Sequence, residues 1–319
     1  MTWMHLFRLS TALAWVGSAA LAWGAPFAYI TNQGSHDVAV IDLATDAVVA
    51  TVPVGKAPAG IAVSAAARKA FVTNPESKNV SVIDLATNRV IETMAAGDGP
   101  VGIAAAPDGK QVYVADWFNN RVLVFDAQTH RQTGAIAVGK APAGVAVHPS
   151  SAWVYVANRD DNSVAVIDAR SGRMTAEIAA GNHPFAVVAN PAGTRLYALN
   201  VLSDDVSVID IERRAVIATI AVGKAPYGAA LSADGTRLFV TNQHGDSISI
   251  IDASHNRGLA TVPACGYPEG IAVHGQRVYV VCWMDDAVTV LDARDGRPLT
   301  TIPTGRNSRG FGQFLWVPD

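Results

Sequence analysis

The chain has 319 residues, half of them apolar and 16% charged, with a formal net charge of −3. That much apolar material closes at least one large core and excludes a disordered or fibrous chain. A weakly acidic balance gives no bulk attraction to a polyanion.

Residues 1–24 read as a targeting segment. They carry no acidic residue, His5 and Arg8 give a weakly basic start, Thr11 to Leu21 is an unbroken apolar and small run, and Ala20, Ala22 and Gly24 suit a signal peptidase. The run is shorter than the roughly 20 residues a spanning helix needs, so a cleaved Sec leader on a periplasmic or secreted protein is expected, with no membrane span after cleavage. The segment holds no twin-arginine pair and no cysteine lies near its end, which sets aside the Tat route and a lipoprotein. Cleavage removes Arg8 and moves the net charge from −3 to −4.

Three strand-like segments follow within residues 25–57: FAYITN, VAVIDLA and AVVATVPV. A fixed period then takes over. Pro58-Ala59-Gly60 recurs as Pro100-Val101-Gly102, Pro142-Ala143-Gly144, Pro184-Phe185-Ala186, Pro226-Tyr227-Gly228 and Pro268-Glu269-Gly270, always at a step of 42 residues. Asn32, Asn74, Asp116, Asn158, Asn200 and Asn242 keep the same step, as do Asp42, Asp84, Asp126, Asp168, Asp210 and Asp252; their seventh copies, Cys282 and Asp292, arrive after 40 because His274-Gly275-Gln276 shortens a turn.

Within each unit apolar residues alternate with period two and are rich in Val, Ile and aromatics, which is strand chemistry. The unit from Pro226 yields four strands, GAAL, RLFVTN, SISIID and LATVPA, separated by polar turns. Repeated four-stranded units of about 40 residues predict an all-β propeller. The C-terminal stretch Arg309–Phe314 resembles the first strand of a unit, so residues 25–57 and 308–319 are predicted to form a composite seventh blade that closes the ring and removes its free edges. Residues 25–319 thus read as one domain, expected to be a monomer.

The strings AYITN (28–32), AFVTN (70–74), VYVAN (154–158) and LFVTN (238–242), each followed by a V-x-V-I-D-type segment and a V-G-K-A-P-type linker, resemble the YVTN-repeat, WD40-like propellers. The resemblance covers the chain after the leader. It implies a seven-bladed, exported or cell-surface protein, and because the wider superfamily includes propellers that hold haem or quinone, it also implies a redox-cofactor association as one alternative. Ala186 and Cys282 depart from the internal pattern.

Most repeated residues are scaffold. An Asp that ends the third strand accepts turn N–H groups, and an Asn that ends the second satisfies loop backbone. Gly97-Asp98-Gly99-Pro100-Val101-Gly102 matches a dinucleotide pattern but leads into a strand rather than a helix, so it is not one. The sequence holds no C-x-x-C-H, H-E-x-x-H, G-x-S-x-G or P-loop, and adjacent Ser35-His36-Asp37 cannot assemble as a triad. The expected function is therefore non-enzymatic binding or scaffolding through the loops of one face, the top, where the fourth-to-first linkers and second-to-third loops meet.

Function is sought where the copies differ. Trp117-Phe118, Val201-Leu202 and Trp283-Met284 place apolar pairs on alternate blades, with Phe185, Tyr227 and Tyr267 in or beside the linkers. They form either an exposed recognition patch or an inward plug of the channel. Lys56, Lys140, Lys224 and Arg306, with Arg159 and Arg309, predict a basic top that would suit an acidic protein, another anionic ligand or single-stranded nucleic acid, unless they are simply solvated.

The enzymatic alternative, a lactonase-like hydrolase or a lyase with an axial pocket, would rest on His183, His244 and Glu269, with His36 nearby. No metal-ligand spacing supports a site, and no cofactor is predicted; a divalent metal or redox cofactor belongs to the alternatives. Cys265 and Cys282, in the linker and top loop of one blade, are predicted to form a disulfide.

Overall fold

The computed structural model describes residues 26–318, so the leader assigned to residues 1–24 lies outside the described residues. Alternation within the repeats becomes seven antiparallel sheets arranged as blades, and no α-helix occurs among the described residues. Blade 3 shows the plan, with Pro142–Val147 innermost, then Trp153–Asn158, Ser163–Asp168 and Arg173–Ala179. The register Pro142↔Asn158 sets the linker proline beside the end of the second strand, which puts both families of divergent loops on one face as expected.

The two middle strands of each blade are buried along nearly their whole length, while outer strands such as Ala215–Ala221 bury little. Continuous apolar runs usually mark parallel sheets covered on both sides. Here antiparallel sheets acquire the same pattern because each is stacked between two neighbours. At one repeat position every blade inserts an aromatic ring, namely Tyr29, Phe71, Tyr113, Tyr155, Tyr197, Phe239 and Tyr279, all essentially inaccessible. Each such ring removes on the order of 150–250 Å² from water. The seven Asp copies cap the turns at the other face, as when Asp126 accepts the Gln128 and Thr129 N–H groups at 3.0 and 2.7 Å.

Glycine two residues after the linker proline brings inner strands close at the top of the axis. A Cβ on Gly144 would lie 2.6 Å from the Phe185 carbonyl oxygen, and one on Gly60 or Gly102 would clash with the carbonyl of Val101 or Ala143 in the next blade. Where blade 4 carries Ala186 instead, its Cα sits 2.9 Å from that same Gly144 position.

The ring closes through the composite blade, whose strands are Phe27–Asn32, Asp37–Asp42, Ala47–Pro53 and, on the inside, Leu315–Trp316. This refines the expected docking of Arg309–Phe314. Arg309 donates its N–H to Thr31 and Tyr29 donates to Phe314, but the middle of the segment, Phe311–Gln313, swings over to pair in parallel with Gly60–Ala62 of blade 1. The tail therefore ties two blades together.

Candidate functional site

The Asn positions are buried and each touches the glycine of its linker. A Cβ on Gly55, Gly139, Gly181 or Gly223 would lie 2.5–2.6 Å from the amide of Asn74, Asn158, Asn200 or Asn242. Those amides reach onward to strand hydroxyls, as Asn242 Nδ2 does to Ser249 at 3.0 Å. Blade 2 substitutes Asp116, whose buried charge is met by Arg121 at 2.8 Å and by the Asp98 and Gly99 N–H groups. Blade 6 replaces both partners at once. Cys265 takes the glycine position, Cys282 takes the asparagine position, and they are joined as predicted, with Cα atoms 5.8 Å apart.

The residue after the linker proline, or after Ser308 in the tail, lines the axial mouth. Ala59, Val101 and Ala143 make one half small, whereas Phe185, Tyr227, Glu269 and Arg309 fill the other. Phe185 stacks on Tyr227 with centroids 4.5 Å apart, and Trp117 lies 6.3 Å from Phe185 with the Arg159 guanidinium 5.4 Å over its ring. Phe311 reaches across from the tail to lie 5.0 Å from Phe185 and 5.4 Å from Tyr227. Because the tail belongs to the composite blade while Phe185 and Tyr227 belong to blades 4 and 5, this ring spans the axis. Of the two readings left open by the sequence, the inward plug holds for Phe185 and Tyr227. Phe311, at a position that is Ile or Val in several other copies, was not singled out by its sequence context.

Beside the plug is a buried ion pair. Glu269 is 1% exposed and accepts from Arg309 Nε at 2.6 Å, from Arg309 Nη2 at 3.2 Å and from Gln243 at 2.9 Å, while Arg309 Nη2 also donates to the Tyr227 hydroxyl at 2.7 Å. Burial pushes the Glu269 carboxyl above the ordinary carboxylate range, opposed by Arg309 and Gln243; burial likewise raises the Tyr227 phenol. Both Glu269 oxygens are occupied, so this group is placed to hold the tail rather than to move a substrate proton.

The patch reading fits three other side chains. Phe118, Leu202 and Met284 are 72%, 62% and 62% exposed on blades 2, 4 and 6. Trp283 is half-buried, donates from Nε1 to Gln33 at 3.3 Å and lies 5.5 Å from Tyr267, which in turn packs on His244 and meets its Nε2 at 3.2 Å. His183 sits two linkers before Tyr267 with a left-handed backbone, its N–H given to Asn162 at 2.9 Å. Ala57, Ala141, Ala225, Tyr267 and Asn307 share that conformation, and His36 Nδ1 accepts the Ala57 N–H at 3.1 Å in the same capping role. Thus His183, His244 and Glu269 are held by three separate sets of contacts.

Several cations of the expected basic top have carboxylate neighbours. Lys78 pairs with Asp98 at 2.8 Å, Arg159 with Asp160 at 2.7 Å and Lys140 with Asp161 at 3.7 Å, and Arg309 is sequestered with Glu269. Lys56, Lys224 and Arg306 are exposed, but Asp204, Asp246, Asp285 and Asp286 occupy the same face. Charges of both signs, from linkers and from loops, therefore meet on this face. Among the described residues one group has metal-ligating atoms within 4.8 Å of one another, Cys265, Cys282 and Asp285, and its two sulfurs are already joined to each other. No helix among the described residues is long and apolar enough to cross a membrane.

Below the plug the inner strands diverge into an axial cavity of about 650 Å³. Its wall runs from Ile103, Val145 and Val187 to Pro107, Pro149 and Pro191 in the turns of the opposite face, and among the described residues carries no charged side chain.

A family profile described as a YNCE-like beta-propeller matches residues 61–150. No curated protein matches the chain. Among solved structures it is similar to Kuenenia stuttgartiensis hydrazine synthase, with 21% identity and a TM-score of 0.77 over 89% of this chain and 99% of that one. It is similar to the dihydro-heme d1 dehydrogenase NirN in complex with DHE at 16% identity and a TM-score of 0.68, covering 91% of this chain and 75% of that one. A functionally unknown protein from Desulfotomaculum acetoxidans DSM 771 shares 12% identity and a TM-score of 0.77 over 92% and 99% of the two chains. At these identities the likeness is one of fold.

Proposed function

We propose that this YVTN-like propeller, a placement that the seven blades and the matched profile support, is an exported, non-catalytic binding protein that engages its partner through the top face. The observation that carries the reading is the outward set of Phe118, Leu202 and Met284, large apolar side chains that remain exposed in the second-to-third loops of alternate blades. Apolar and aromatic anchors on short, backbone-fixed loops are what a recognition surface offers at low ordering cost. A disulfide in the chain and the leader composition support a location outside the cytoplasm.

The test is capture from a cell-envelope extract with the wild type and with Phe118→Ser/Met284→Ser, two exposed changes that leave the plug and the ion pair untouched. A partner retained by the wild type and lost by the variant is expected. Identical recovery by both would overturn the top-face reading. A second reading, association with a redox cofactor at the same mouth, draws on the dehydrogenase among the structural neighbours. It requires visible absorbance in protein purified from its source.

A further inference from the structure

We infer that the axial cavity is a second binding site, separate from the top face, for an uncharged and largely apolar small molecule that enters from the opposite side. The reason begins with the taper. Glycine necks bring the inner strands together at the top, where Phe311, Phe185 and Tyr227 stack, while the lining continues to Pro107, Pro149 and Pro191 at the opposite side, which is the wider way in. At about 650 Å³ it lies within the 300–1,000 Å³ typical of small-molecule sites.

The wall selects the chemistry of the occupant. Its side chains are Ala, Val, Ile, Leu, Phe and Pro, with Asn190 and Gln313 as the polar ones. A charged ligand would lose its hydration with no opposite charge to meet it. A peptide end inserted from the open side would bring its terminal charge to the same apolar floor, which also disfavours it. Backbone supplies the remaining polarity. The inner strands of blades 2 to 6 have a partner strand on one side only, so their other edges face the axis. The chain's own Phe311–Gln313 shows that such an edge accepts a hydrogen-bonding partner inside the channel, since it pairs there with Gly60–Ala62. A neutral molecule with an apolar body and one or two hydrogen-bonding groups satisfies both halves of this wall.

The probe for the test is N-phenyl-1-naphthylamine, which is neutral and becomes fluorescent in apolar surroundings. Wild type is expected to bind it saturably at one site per chain. Ala146→Trp, in the middle of the wall, and Ala189→Leu, nearer the mouth, are expected to weaken binding at least tenfold while far-UV circular dichroism keeps its all-β form. Phe118→Ser/Met284→Ser is expected to bind the probe like the wild type, so failure here and failure of the top-face reading are distinguishable. Should Ala146→Trp not fold, the milder Ala189→Leu decides alone. Absence of a saturable signal, or equal binding by a folded cavity-filling variant, overturns the inference.

Discussion

Glu269 and Arg309 illustrate why a charged residue in a repeat position needs its partner before it can be interpreted. The sequence placed Glu269 with His183 and His244 as an acid candidate at the axial mouth and Arg309 among the cations near the linkers. Their pairing could not be read from spacing, since one belongs to blade 6 and the other to the tail. Removing one member of a buried pair leaves the other charge uncompensated and typically costs about 3–5 kcal/mol. Glu269→Ala should therefore lower the unfolding free energy measured in urea by that amount, whereas Glu269→Leu/Arg309→Met, which removes both charges, should recover most of it. Equal melting of Glu269→Ala and wild type would show that the pair holds nothing.

At the scale of the element, the unit that repeats is a contact and not a residue. Gly55 with Asn74, Gly139 with Asn158, Gly181 with Asn200 and Gly223 with Asn242 each meet where linker and second strand converge. Aligning the copies places Cys265 on the glycine and Cys282 on the asparagine, so the disulfide was legible as soon as the repeat was found. The strands were legible for the same reason, and RLFVTN and SISIID match Arg237–Asn242 and Ser247–Asp252 residue for residue. What the repeat hid was charge compensation. Lys140 meets Asp161 and Lys78 meets Asp98, pairs joined only when a linker folds over a neighbouring loop. Losing the disulfide through Cys265→Ser/Cys282→Ser should destabilise by about 2–4 kcal/mol for a short loop. Cys265→Gly/Cys282→Asn should recover at least half of that, because the new amide finds Thr289 where other blades offer Ser81 or Ser249. Two equally destabilised variants in chemical denaturation would mean that the Gly-Asn contact does not transplant.

For the whole molecule the deciding segment is the tail. Propeller closure was expected from the resemblance of Arg309–Phe314 to an inner strand, but the axial plug and the cavity beneath it depend on how strands splay around an axis, a property no single repeat encodes. Residues 308–316 do three jobs at once. Ser308 bonds to Asn32 at 2.8 Å, Arg309 locks onto Glu269, and Phe311–Gln313 with Leu315–Trp316 pair into blade 1 and the composite blade. Burying Phe311 and Phe314 alone is worth about 1.5–3 kcal/mol each by area. A chain ending at Asn307 should lose all of these terms and leave the inner edge of Phe27–Asn32 unpaired, which is a template for association. Its melting temperature should fall by more than about 10 °C, given that ~1 kcal/mol shifts a domain of this size by a few degrees, and light scattering should show concentration-dependent growth. If instead the shortened chain melts like the full one and stays monomeric, the face-to-face packing of neighbouring blades holds the ring without its latch. The cavity would then have a removable wall.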